Sequence, residues 1–196
     1  DPALFYHPER DLVLVLYVDD CLMDGHATDV QWLSDRLDDR FECKETEWLT
    51  LEKPLDYLGV DVTLTKDRIL MNMPKYVEKF VNFMNLTTKM GARTSTPFEE
   101  SLQGGELLDD QGKVAYMTGT GMVGWMANTC RPDLSFSHSR LAQYLSAPTE
   151  NGWAGLQRVA KYLSRTPSLG LGTPRFGTME TPLFDPLKAP AQNGWG

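Results

Sequence analysis

The stretch DLVLVLY at Asp11–Tyr17, running straight into VDDCLMDG at Val18–Gly25, decides the reading of the fold. It is rich in leucine and β-branched valine and too short for a convincing helix, which predicts a buried strand. Cys21, Leu22 and Met23 then form the return strand of a tight hairpin whose turn holds Val18, Asp19 and Asp20, and Gly25 closes it. Next, Thr28-Asp29-Val30-Gln31 has the capping-box pattern, with Thr28 at the cap. Val30, Leu33, Leu37 and Phe41 recur at near-helical spacing and predict an amphipathic helix over residues 29–40. Phe41–Trp48 is a candidate strand. Tyr57–Thr65 (YLGVDVTLT) alternates, Lys66-Asp67-Arg68 turns, and Ile69–Met73 returns as a second hairpin.

After Pro74, which suits a first helical position, the pattern is helical. Tyr76, Val77, Phe80, Val81 and Met84 line one face. A loop rich in Gly and Thr is expected over residues 87–112. A helix follows over 114–129, where Gly119, Gly121 and Gly124 would let another element approach closely. Asp133 is read as the cap of a helix through Tyr144, and Thr149 as the cap of one over 151–164 that Thr166-Pro167 stops. The last 30 residues hold five of the twelve prolines and no usable periodicity, so they are expected to be loosely ordered. The fold class is therefore α+β. An antiparallel sheet with helices occupies residues 1–73, a helical lobe 74–166 and a tail 167–196.

A chain of 196 residues that is 41% hydrophobic and 23% charged has globular composition, which excludes collagen-like or wholly disordered architecture. No apolar run approaches the ~20 residues that span a bilayer, and residues 1–10 carry no signal-peptide pattern. The chain does not begin with Met, which predicts a piece of something longer. Cys21, Cys43 and Cys130 are odd in number and at no metal-like spacing, as expected of reduced thiols in an intracellular protein. Residues 1–60 hold 15 acidic against 5 basic side chains, whereas the remainder is nearly balanced. That distribution excludes a strongly basic nucleic-acid footprint. It leaves a cation site or a solvated surface in the first third.

Tyr17-Val18-Asp19-Asp20 is the place for chemistry. Adjacent carboxylates on a strand point to opposite faces, but at a hairpin turn they can converge. Such a pair repels itself unless a cation is present, and Mg²⁺ suits a few carboxylates completed by water and phosphate oxygens. On residue type alone, ordinary turn chemistry is the favoured reading of Asp-Asp over a metal site. His7, His26 and His138 have no metal-like spacing and are read as structural.

Tyr-Val-Asp-Asp after an apolar strand resembles the polymerase signature of reverse transcriptases. The motifs that follow resemble the copia-type retrotransposon Pol polyprotein over residues 1–171. They are Phe41-Glu42-Cys43-Lys44, Tyr57-Leu58-Gly59-Val60-Asp61-Val62, Tyr76-Val77, Tyr116 through Gly121, Trp125 and Ala127 to Thr129, and Arg131-Pro132-Asp133. Pro148-Thr149, Arg158-Val159, Tyr162-Leu163, Thr166 and Gly170-Leu171 complete the collinear set.

The resemblance implies part of a polymerase palm followed by a helical thumb and connection region, in an RNA-directed DNA polymerase (reverse transcriptase). Asp19 would be a catalytic Mg²⁺ ligand and Asp20 a weaker one, in a site of two Mg²⁺ ions. Tyr17 and Val18 would lie under the last base pair of an RNA or DNA template-primer, with dNTPs as the other substrate. Leu58 and Gly59 match the primer-grip hairpin, although a plain β-hairpin with a close backbone contact accounts for them equally. Lys44 is either an aid to the leaving group or an exposed strand lysine. Arg131 is either a phosphate contact or, preferably, an ion pair linking helices.

The family's third aspartate and its fingers belong upstream, and its RNase H region downstream. Asp11 and Asp24, at the far ends of the hairpin strands, cannot replace that aspartate. The location implied is a cytoplasmic particle or the nucleus, with no membrane partner. The 196-residue chain alone is expected to be inactive and prone to self-association through an uncovered strand edge. The alternative is a non-catalytic remnant that serves as a structural or interaction domain.

Overall fold

The computed structural model describes residues 2–85, 97 and 102–174, in two compact units, Asp1–Glu47 and Trp48–Gly196. These units are divided by packing, whereas the boundary after residue 73 in the sequence reading divides by type of secondary structure.

In the first unit, β1 (Leu4–His7), β2 (Leu12–Tyr17) and β3 (Asp20–Asp24) form an antiparallel sheet in that order. The apolar run is the central strand, with Leu14 opposite both Phe5 and Met23. Asp20, expected in the turn, is instead the first residue of β3 and pairs with Tyr17. β1 was not foreshadowed, because its Leu4, Phe5 and Tyr6 are consecutive and exposed rather than alternating.

Helix α1 spans Ala27–Asp38 with His26, not Thr28, at its N-cap. Thr28 sits inside the first turn and its hydroxyl lies 2.9 Å from His26 Nδ1. Helix and sheet meet at Trp32, whose ring stands edge-on to His7 at 5.8 Å and is covered by the Arg10 guanidinium. Arg10 in turn pairs with Asp29. Phe41–Trp48 forms no strand. Its irregular backbone returns along α1, where the Thr46 and Ser34 hydroxyls are 2.6 Å apart.

The second unit opens with β4 (Leu55–Tyr57), β5 (Val60–Leu64) and β6 (Arg68–Asn72), an antiparallel meander leading directly into α2 (Pro74–Phe83). The strand expected over Tyr57–Thr65 is thus two strands broken at Leu58-Gly59. Among the described residues, three further α-helices follow: α3 (Asp110–Thr129), α4 (Ser135–Ala142) and α5 (Glu150–Arg165). α3 begins earlier than expected because Asp109 caps it, accepting the Gly112 N–H at 2.7 Å. Most of the expected 87–112 loop lies outside the described residues. Thr149 caps α5 through the Gly152 N–H, as its sequence suggests. β7 (Leu171–Pro174) pairs antiparallel with β6, so the first part of the expected loose tail is a fourth strand. Residues 175–196 lie outside the described residues. No described helix is long and apolar enough to cross a membrane.

The sequence-predicted α2 face is buried at Val77, Phe80 and Met84. It packs with α5 through Leu156, Val159, Ala160 and Leu163, and with Tyr116, Val123 and Met126 of α3, in one apolar core. Tyr116 donates from that core to the Leu141 carbonyl at 2.8 Å, and burial pushes its phenol up to about 12. Gly119 and Gly124 admit Leu156 and His138 against the α3 backbone, whereas Gly121 faces open space.

Arg131 is buried without any exposure. Its guanidinium makes a two-pronged pair with Asp133 at 3.0 and 2.8 Å and donates to the Thr166 carbonyl at 2.9 Å and hydroxyl at 3.0 Å. The Tyr162 hydroxyl donates to the same Asp133 carboxylate at 2.9 Å. Asp133 is therefore not a helix cap. α4 has no side-chain cap, and a 3₁₀ turn at Pro132–Leu134 precedes it.

Burial pushes the Asp133 carboxyl up, but the bonds from Arg131 and Tyr162 outweigh it and hold the group below its usual value. The unfolded chain therefore takes up the proton first. The stabilisation is complete above about pH 4 and disappears as pH falls through the depressed folded value. Asp133→Ala strands a buried cation and is expected to cost about 3 kcal/mol, measured by urea unfolding at neutral pH. The cost should shrink when the measurement is repeated in acid. Gly170→Ala would place a Cβ 2.0 Å from the Met71 carbonyl oxygen. It is expected to destabilise by about 1–3 kcal/mol, with faster amide exchange in β7.

Candidate active site

β2 gives the first unit a stiff base. Leu12 is buried, Val13, Leu14 and Val15 are half-buried, and exposure rises toward Leu16 and Tyr17. The hairpin closes with the Tyr17–Asp20 pair around a two-residue turn, Val18-Asp19. All four residues are exposed, Val18 by 82% and Tyr17 by 56%. Directly opposed residues of an antiparallel pair share a face, so Asp20 lies on the face of Tyr17 while Asp19 occupies the turn. Tyr17 and Asp20 thus share a face at the tip of an apolar strand, with Asp19 in the turn between them.

Val18 holds φ at 57°, the left-handed region that a β-branched side chain rarely enters. A two-residue hairpin needs such a residue because its turn must follow the twist of the strands. The cost of order 1–3 kcal/mol is borne by the surrounding ladder. No glycine or asparagine marks the turn, and the sequence gives no signal of this strain.

Asp24 pairs with Val13 at the opposite end of the hairpin, about 13 Å from Asp20 at strand rise. Asp11 precedes β2, with its carboxylate accepting the Tyr6 hydroxyl at 2.9 Å. Neither joins the tip. Among the described residues, no three His, Cys, Asp or Glu side chains are grouped to hold a metal ion. His7 packs on Trp32, His26 begins α1 and His138 lies against Gly124. Lys44 is exposed in irregular backbone rather than on a strand.

Leu58 and Gly59 form the β4–β5 turn of the second unit, with φ of 54° and 80°, between the paired Tyr57 and Val60. Positive φ at both central positions suits the strand twist, and glycine meets it without a Cβ penalty. The Asp56 carboxylate accepts the Gly59 N–H at 3.1 Å. A Cβ at Gly59 would have nothing within 4 Å. The close backbone contact considered from sequence is absent among the described residues, and the turn presents open backbone. Asp56 was missed, although an aspartate three residues before a glycine is a turn signal.

Over 163 residues, 82% of its length, the chain is 31% identical to a retrovirus-related Pol polyprotein from transposon RE2 of Arabidopsis thaliana. It is 29% identical, again over 163 residues, to that from transposon RE1 of the same plant. The chain spans about a tenth of the length of these curated relatives, 11% and 10% respectively. No protein-family model and no solved structure matches it.

Because Asn enters the left-handed region more readily than Val, Val18→Asn is expected to stabilise the first unit by about 1 kcal/mol. Amide exchange of β2 and β3 would register the gain as slower opening. Unchanged or faster exchange would show that the turn is not strained.

Proposed function

We propose that the chain is a piece of the reverse transcriptase of a copia-type retrotransposon Pol polyprotein, with the Tyr17–Asp20 hairpin at its polymerase centre. The observation that carries this reading is the placement of Asp19 and Asp20, both exposed, at the tip of a strand anchored by buried Leu12. Similarity to transposon Pol polyproteins over 163 residues supports it.

Paired carboxylates are the hard oxygen donors that Mg²⁺ takes. With two of them at the tip, the remaining ligands would come from water, nucleotide phosphates and a carboxylate outside the hairpin. β3 is an edge strand, and its outer edge is where a further aspartate-bearing strand could pair. When bound, the ions would lower the barrier to attack by the primer hydroxyl and stabilise departing pyrophosphate. Asp19 and Asp20 would hold the charge that positions the ions, with the exposed Tyr17 ring beside them and the strained turn at Val18 setting the tip's direction. In the second unit, the open Leu58-Gly59 turn would contact the primer strand through its backbone. RNA or DNA template-primer and dNTPs are the substrates proposed for the complete protein.

In a complete polymerase that contains this segment, Asp19→Asn is expected to lower Mg²⁺-dependent primer extension by about 10²–10³-fold. Unchanged extension would overturn the role given to Asp19. The 196-residue chain alone is expected to give no template-directed product, because its tip supplies two carboxylates and no third group joins them among the described residues.

A further inference from the structure

Asp56 on β4 and Asp61 on β5 are directly opposed, so they share one face of the sheet and their charges repel. Asn72 on β6 extends the row, opposite Asp61, and its amide donates to the Ser168 carbonyl at 3.2 Å. The ammonium of Lys75 lies over this row, 3.0 Å from Asp56 Oδ2 and 3.4 Å from Asp61 Oδ1. Asp56 uses its other oxygen, Oδ1, to accept the Gly59 N–H at 3.1 Å. One carboxylate therefore joins helix α2 to the Leu58-Gly59 turn.

The place of Lys75 is otherwise unfavourable. It follows Pro74 in the first turn of α2, which contains no acidic residue, and the helix field there favours anions. The two strand carboxylates supply that negative charge from outside the helix. Asp56 first, and Asp61 after it, push the Lys75 ammonium above the usual lysine value. An exposed Lys–Asp pair taken singly contributes little. This cation separates two carboxylates that would otherwise face each other, and one of them holds the turn.

We propose that Lys75 is the positioning residue of the Leu58-Gly59 turn: through Asp56 it fixes the direction of the turn relative to α2, and in the polymerase proposed above it thereby sets where the primer strand is gripped. The last clause rests on that functional reading and the first does not.

The test has two arms. In the 196-residue chain, Gly59 amide exchange is compared by NMR for wild type, Lys75→Met and Lys75→Arg. Lys75→Met is expected to speed exchange about two- to fivefold, Lys75→Arg to restore it, and high salt to speed wild type toward Lys75→Met. Unchanged exchange in Lys75→Met overturns the proposal. In a complete polymerase, Lys75→Met is expected to raise the KM for template-primer about threefold with kcat unaltered, and Lys75→Arg to restore it. Faster Gly59 exchange with an unaltered KM would support the clamp and overturn the gripping role.

Discussion

The guanidinium of Arg131 has no contact with solvent, and a cation so placed must be paired and hydrogen-bonded or it destabilises everything around it. Asp133 supplies the charge, and Thr166 supplies a carbonyl and a hydroxyl from beyond the end of α5. Satisfying this one group therefore ties the C-terminal end of α3 to that of α5. The consequence extends along the chain. With Thr166 fixed, the next residues turn back so that Gly170 lies against the Met71 backbone and β7 pairs with β6. β6 leads without a loop into α2, whose Lys75 reaches the β4–β5 carboxylates. The buried cation and the exposed β4–β5 turn are thus linked through β7, β6 and α2.

The parts legible in the sequence are those where one residue type has one physical use. The apolar run at Leu12–Tyr17 is the strand its composition suggests, although only Leu12 is buried and Leu16 and Tyr17 are exposed, and Thr149 before an amphipathic repeat caps α5. Arg131 was read as a phosphate contact or, preferably, an ion pair linking helices, and the structure pairs it with Asp133, the residue expected to be a cap. The failures have physical causes too. Leu58 and Gly59 interrupt a strand without breaking its alternation, because a two-residue turn leaves the flanking pattern in step. β1 and β7 are short and largely exposed, so they carry little of the burial that creates a pattern. Asp133 looked like a cap because Asp favours caps, yet a buried guanidinium two residues away competes for the same oxygens. Thr28 lost its place at the cap because α1 starts two residues earlier, at Ala27.

The candidate site follows a similar division. Its residue types were readable, whereas its conformation was not. Two adjacent aspartates after an apolar strand announce themselves, but nothing in Tyr-Val-Asp-Asp tells that Val18 takes a positive φ or that Asp20 belongs to β3. Local sequence preference disagrees with the turn, which places the disagreement at the point proposed for function. Strain of this kind persists where neighbouring structure over-determines it. Here the ladders of β2 supply that determination, since Leu14 and Val15 pair with both β1 and β3 and Leu16 pairs with Cys21.

The two turns proposed to meet nucleic acid solve their geometry differently. The first closes on a valine in the left-handed region, with both flanking carboxylates left exposed. The second closes on leucine and glycine, with Asp56 bonded back to the turn and Lys75 bonded to Asp56. A carboxylate meant to hold a cation gains from remaining unpaired, because each protein cation nearby would compete for its oxygens. A carboxylate meant to hold backbone gains from a lysine that keeps it charged and still. Among the described residues no ion pair engages Asp19 or Asp20, as the role proposed for the tip requires, whereas Asp56 is bonded to both Lys75 and Gly59. An aspartate's role in this chain is therefore read from what its oxygens bind, since the residue type is the same at both turns.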